Sequence, residues 1–237
     1  VLVGVLGGCG RIGFDPTTVP HGDGGTADNA SRDNAMGGAV VVQSTASTAA
    51  ATTTLAVPIA PTRAGSLVVI AVANADAVQS VVATVADDAT NPYQTANAHG
   101  TASYCYGSAD LWYAPGVAAG ATTVTVTETA AVDFSVWVVE LGGVSSRVGG
   151  ATANDQPSTT LAMGPAVATS AGDVAVSIAQ ACLNPITLHT GGMFTGLTAS
   201  SYNSDTAYLI ATSAGTVGPQ WDIATAAMWC GATAAFR

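Results

Sequence analysis

Residues 122–127 read Thr-Thr-Val-Thr-Val-Thr, and that alternation constrains the backbone more than any other feature of the chain. Successive side chains of an extended strand point to opposite faces, so the valines line one side and the threonines the other. A sheet with one buried and one wet face produces this pattern, and a helix would scatter both residue types around its axis. Thr keeps strand propensity without charge, which explains how a chain with only 8% charged residues presents a polar surface.

Other short runs rich in β-branched residues, bounded by Gly, Pro, Asn and Asp, read as strands too. They cover residues 40–43, 53–57, 67–73, 81–86, 110–114, 134–141, 174–181, 206–211, 220–224 and 228–236, with 122–128 as the alternating example. Helical spacing is nowhere sustained with caps. The Ala-rich stretch 46–51 has the composition of a short helix, but its Thr and Ser argue against one. No stretch reaches the roughly 18 to 20 apolar residues of a spanning helix, and 6% aromatic residues are too few for the girdles of a membrane barrel.

The body carries a weak internal duplication. Ala64-Gly65-Ser66-Leu67-Val68-Val69 is echoed by Ala171-Gly172-Asp173-Val174-Ala175-Val176, and Asp110-Leu111-Trp112-Tyr113 by Asp205-Thr206-Ala207-Tyr208. Each half closes on a strand bearing a tryptophan, Trp137 or Trp229. Each half is poor in bulky apolar residues, so the expected fold is a single antiparallel β-sandwich, jelly-roll-like, built of two similar halves that share a core.

Residues 64–69, 87–93, 111–115, 120–127 and 138–144 carry a recognisable order: an apolar strand after Ala-Gly-small-Leu, an Asp/Asn/Tyr turn, an aromatic pair, a Gly-Ala-Thr-Thr-Val-Thr-Val strand and a Val-Glu-aliphatic-Gly-Gly-Val end. This order resembles uncharacterised bacterial extracellular β-sandwich modules. The resemblance implies fold more than activity.

At the amino end, an apolar run closes on Leu6-Gly7-Gly8-Cys9-Gly10. With no initiating Met and no basic region before it, the expectation is a start clipped from a longer precursor. The run resembles the lipobox of bacterial lipoproteins, with Gly7 where the family more often has Ala or Ser. That resemblance implies that Cys9 receives a diacylglyceryl group, becomes the new amino terminus and anchors the chain to a lipid bilayer, and Gly10 in place of Asp implies sorting to the outer membrane. Residues 1–9 are thus expected to be residual signal peptide and lipobox, residues 10–38 a flexible spacer, and residues 39–237 the sandwich. The spacer's polar residues, among them His21, Asp23, Asp28 and Asp33, read as solvated linker rather than metal ligands.

Chemistry-bearing residues are few. Five Arg and no Lys against fifteen acidic residues give a net charge of -10, so no basic surface exists for nucleic acid. With Cys9 assigned to lipid, Cys105, Cys182 and Cys230 remain, of which two are expected to pair in an oxidising compartment. Three pairings are open beside the alternative of three buried thiols in strands, and Cys182 with Cys230 is the favoured pair because both lie in the second half. Asp87, Asp88 and Asn91 crowd oxygen ligands into one connection, as a plain Asx-type turn or a calcium site, so calcium is the one candidate cofactor. Tyr104, Tyr106 and Trp112 form the candidate ligand platform, with Tyr104 and Tyr106 expected on one strand face and Cys105 on the other. Tyr202 lies among the loop aromatics. Trp112 and Tyr113 point oppositely, so one belongs to the core, as do Trp137 and Trp229.

Glu128, Asp133 and Glu140 are the carboxylates available for glycoside cleavage, though Glu140 reads as a strand-end cap. His99 and His189 stand isolated. No nucleophile elbow, zinc pair or phosphate loop occurs, so no catalytic residue is assigned. The functional expectation is a cell-surface lipoprotein whose domain binds an extracellular glycan or protein, or works in adhesion. The rivals are a structural envelope protein and a polysaccharide-degrading enzyme.

Overall fold

The computed structural model describes residues 38–74, 78–197 and 203–237. Cys9, the expected lipobox and the expected spacer through residue 37 lie outside them, as does Tyr202. The described residues form an all-β, antiparallel fold with no α-helix among them.

The first half contributes β1 (Val40–Pro58), β2 (Leu67–Asn74), β3 (Val82–Asp87), β4 (Gln94–Ala102), β5 (Gly107–Ala114) and β6 (Thr123–Gly142). They make one sheet in the order β1-β6-β2-β5-β4, with β3 also on β6. The second half contributes β7 (Arg147–Met163), β8 (Val167–Thr169), β9 (Val174–Ala181), β10 (Ile186–Leu188), β11 (Thr195–Gly196), β12 (Ser204–Ile210), β13 (Gly215–Val217) and β14 (Gln220–Phe236). Its sheet runs β10-β14-β9-β12-β11 with β7 on β14, and β8 and β13 pair separately.

The duplication is therefore real at the level of pairing. In each half the last long strand holds the first long strand and the second core strand, which in turn holds the aromatic strand. The registers coincide as well: Val69 faces Tyr113 and Val72 faces Asp110 in one half, while Val176 faces Tyr208 and Ala179 faces Asp205 in the other. Gly65 and Gly172, at φ 81° and 89°, make the same left-handed entry into β2 and β9, a conformation that excludes a β-carbon cheaply only in glycine. The tryptophan echo is not part of it. Trp137 faces Ala71, and the matching position opposite Ile178 is Ala232; Trp229 corresponds instead to Phe134.

Every residue of β2 and β9 is buried, because both faces of each strand are covered. Leu67, Val69 and Ala71 meet Val174, Val176 and Ile178 in a core shared by the two sheets. This is the expected sandwich of two halves. The odd-even partners, Val68, Ile70 and Val72, enter a second core with Val57, Val124, Val126 and Phe134, confined to the first half. Ala175, Ala179, Trp221 and Trp229 build its counterpart in the second. Each half thus also has an apolar interior of its own, because its long strands fold back over its outer face.

The apolar runs of the sequence mark only pieces of those long strands. β1 runs unbroken through 46–51, with register shifts near Ala49 and a positive φ at Ala51 that absorb the bend. β6 joins 122–128 to 134–141, and β14 joins 220–224 to 228–236. β4 and β7 have no apolar run to announce them, since their Gly, Asn, Thr and Ser residues supply little beyond backbone pairing.

Candidate functional site

On β5 the residues Ser108, Asp110 and Trp112 share the outer face, while Ala109, Leu111 and Tyr113 point to the shared core, where the Tyr113 ring meets Phe236 at 5.6 Å between centroids. Both members of the Trp-Tyr pair are thus half-packed, on opposite faces. Directly across from Asp110 on β4 stands His99. Its Nδ1 bonds Asp110 Oδ1, and Ser108 Oγ donates to the other carboxylate oxygen at 3.0 Å. Asp110 is buried whereas the His99 side chain is 44% exposed. The carboxylate hydrogen bond holds the His99 pKa above its usual value against partial desolvation, helped by the charges of Asp110 and Glu128. An ionised Asp110 keeps the proton on Nδ1, so Nε2, which has no partner among the described residues, is an acceptor in the neutral ring and a donor in the protonated one.

A second polar group lies nearby. Glu128 is 2% exposed and accepts from Ser80 Oγ at 2.8 Å and Asn74 Nδ2 at 3.3 Å. Ser80 Oγ in turn accepts the Ala130 N–H at 3.0 Å. Desolvation raises the Glu128 pKa, with the two hydrogen bonds opposing it. A buried carboxyl at a strand position of apolar parity is costly, and the Ser80 and Asn74 hydrogen bonds offset part of that cost.

Two cavities open here. One, of about 350 Å³, is lined by Val81, Val82, Thr95, His99, Asp110 and Trp112 among others; the other, of about 130 Å³, by Ser80, His99, Thr101, Ser103, Tyr106 and Ser108 among others. His99 and Val81 belong to both, which makes them lobes of one groove with the imidazole between them.

Of the expected platform, Trp112 borders one lobe and Tyr106 the other, while Tyr104, 78% exposed, borders neither. The expected common strand face for Tyr104 and Tyr106 is corrected: Ser103–Cys105 is a 3-10 turn and Tyr106 follows in the left-handed region at φ 49°, so period two does not apply.

The expected pairing of Cys182 with Cys230 is also corrected. Cys105 and Cys182 form the disulfide, and Cys230 is a buried free thiol. Cys230 faces Gln180 across β14 and β9 and its thiol donates to Gln180 Oε1 at 3.5 Å. Cys182, just past the end of β9, meets the turn of the opposite half. Sharing a half was a poor guide because the halves face each other.

The Asp87 oxygens accept the Ala89 and Asn91 backbone N–H groups, Asn91 Nδ2 and the Tyr93 hydroxyl. Asp88 turns to Thr122 and Thr123 instead. This is a turn stabilised by its own donors, and among the described residues no group of three or more His, Cys, Asp or Glu side chains is gathered for a metal.

Glu140, fully buried, accepts from the Arg63 N–H and Gln43 Nε2 as a cap, and Asp133 accepts the Ala51 N–H. His189, like His99, is not isolated: its Nδ1 bonds both Asp222 oxygens at 2.8 and 2.9 Å beside a cavity of about 280 Å³.

The duplication supplies an internal control. Asp205, at the position of Asp110, accepts the Leu188 N–H of β10 at 2.8 Å and so ties that strand to β12. In the first half the same carboxylate holds His99, and the groove opens between it and Val81 and Val82. Asn74 on the groove side of β2 corresponds to Ala181 in β9. The carboxylate at this register position therefore does different work in the two halves, and the second half places its own His189–Asp222 pair and cavity beside Leu188 instead. No family model, no curated protein and no solved structure matches the chain.

Proposed function

We propose that the chain is an extracytoplasmic, lipid-anchored binding protein whose domain captures a ligand non-enzymatically in the His99 groove, with an extracellular carbohydrate as the best-fitting class. The observation that carries this reading is the meeting of Trp112, His99 and Tyr106 along one groove. Aromatic faces stack on the C–H faces of sugar rings, and a few placed polar atoms then set orientation. The Cys105–Cys182 disulfide supports an oxidising compartment, in keeping with an anchor at Cys9. Calcium plays no part in this reading, since the Asp87 turn uses its own oxygens.

A glycan and matrix-protein array with the full chain tests it. Binding that disappears in Trp112→Ala and in His99→Ala, with the melting temperature retained, is the expected result. Silence on the array, or hits indifferent to both substitutions, overturns it. A second reading, a polysaccharide-degrading enzyme, is favoured by the open Nε2 of a carboxylate-bound histidine; it predicts turnover on polysaccharides that His99→Ala removes.

A further inference from the structure

We infer that the His99 groove selects uncharged, polyhydroxylated ligands and excludes acidic ones; the inference rests on the groove being the binding site. Among the described residues the basic side chains other than histidine are Arg63, Arg147 and Arg237, and none of them lines either lobe. Arg237 is committed to Asp173, at 2.8 Å. His99 is the one group among the described lining residues able to carry positive charge, and Asp110 offsets it.

The acidic side of the balance is heavier. Asp110 forms one wall and Glu128 lies behind Ser80. A third carboxylate comes from the other half: Asp155 accepts the Ser103 N–H at 2.6 Å and the Ser103 hydroxyl at 3.1 Å, and Ser103 lines the smaller lobe. Next to it, Asn154 Oδ1 accepts the Thr101 N–H at 2.8 Å. These two N–H groups are donors a carboxylate or sulfate could have used, and both are already taken by acceptors of β7. Among the described residues, an anionic ligand would meet these carboxylates with the Thr101 and Ser103 N–H groups occupied and no fork of guanidinium donors. The groove instead offers Gln79, Thr101, the His99 Nε2 and the Tyr106 and Trp112 rings, which suit hydroxyls and C–H faces.

The test uses the full chain on an array holding neutral glycans beside uronate, sialylated and sulfated ones, followed by titration with the best neutral glycan and with the same glycan oxidised to the uronate at C6. The expected result is hits confined to neutral glycans and affinity lower by about tenfold or more for the oxidised form. Equal or tighter binding of the uronate, still dependent on Trp112, overturns the selection rule while leaving the groove as the site. Binding that survives both Trp112→Ala and Tyr106→Ala, or no binding to any glycan, overturns the reading of the groove and this inference with it.

Discussion

Asp110 and Asp205 occupy the same register position in the two halves of the fold, yet Asp110 holds a histidine beside an open groove and Asp205 fastens a neighbouring strand by its backbone. One scaffold has been used twice with opposite outcomes. What differs is the partner each carboxylate finds: an imidazole for Asp110 and a strand N–H for Asp205.

The His99–Asp110 pair makes part of the stability depend on pH. The His99 pKa is raised by folding above 6.5, so its contribution is complete below about that pH and is lost as pH rises through the folded value. Asp110→Asn removes it. The variant is expected to melt below the parent protein at pH 5.5 and close to it at pH 8.5, by about 0.5 kcal/mol at most given the solvent screening of a half-exposed ring. Calorimetry at the two pH values, with the His99 ring followed by NMR, checks both the sign and the group.

Glu128 works in the same direction for another reason. Burial raises its pKa above 4.5, so the folded state is favoured while the carboxyl is protonated and loses stability as pH rises through the folded value. Glu128→Gln keeps one acceptor, for Asn74 Nδ2, and turns its amide N–H toward Ser80 Oγ, which can accept it, without the charge. It should melt higher than the parent protein at pH 7.5 and no higher at pH 4. A variant less stable at pH 7.5 would show that the ionised form is the one the site is built to hold.

At Gly100 the backbones of the two sheets touch closely enough to exclude a methyl group. A β-carbon on Gly100 would lie 2.4 Å from the Gly231 carbonyl oxygen and 2.8 Å from its nitrogen, and backbone cannot step aside. Gly100→Ala is expected to cost about 1 to 3 kcal/mol in urea unfolding. Gly149→Ala, with nothing within 4 Å of its new carbon, is the control and should stay within about 0.5 kcal/mol of the parent.

Non-reducing peptide mapping should recover Cys105 linked to Cys182, across a separation of 77 residues. Replacing both by Ser is expected to cost roughly 2 to 4 kcal/mol. Cys230, buried and with its thiol pKa pushed up by desolvation, should resist alkylation until the protein is unfolded. Recovery of a Cys182–Cys230 peptide instead would contradict the arrangement of the halves at this point.

Asp87→Ala strips four donors of their acceptor and is expected to lower stability by about 1 to 3 kcal/mol, whereas a chelator should leave the melting temperature unchanged. A melting temperature that falls with chelator would instead reveal a metal bound to the native state.

By itself the sequence determined the properties that neighbours along the chain impose on one another. Alternation settles which face a strand residue takes, so the all-β class, the buried β2 and β9 and the repeated Gly-led and Asp-led segments were all legible. Even the buried Glu128 was within reach, because it continues the parity of Val124 and Val126 and so falls on the apolar side. Tertiary structure alone decided which strands lie side by side and which faces meet. His99 and Asp110 become a pair only when β4 folds back on β5, Ser80 reaches Glu128 across 48 residues, and Cys182 finds Cys105 because the sheets are stacked. The physical reason is that parity is a local property of the backbone, whereas a groove is made by contacts whose sequence separation carries no periodic signal.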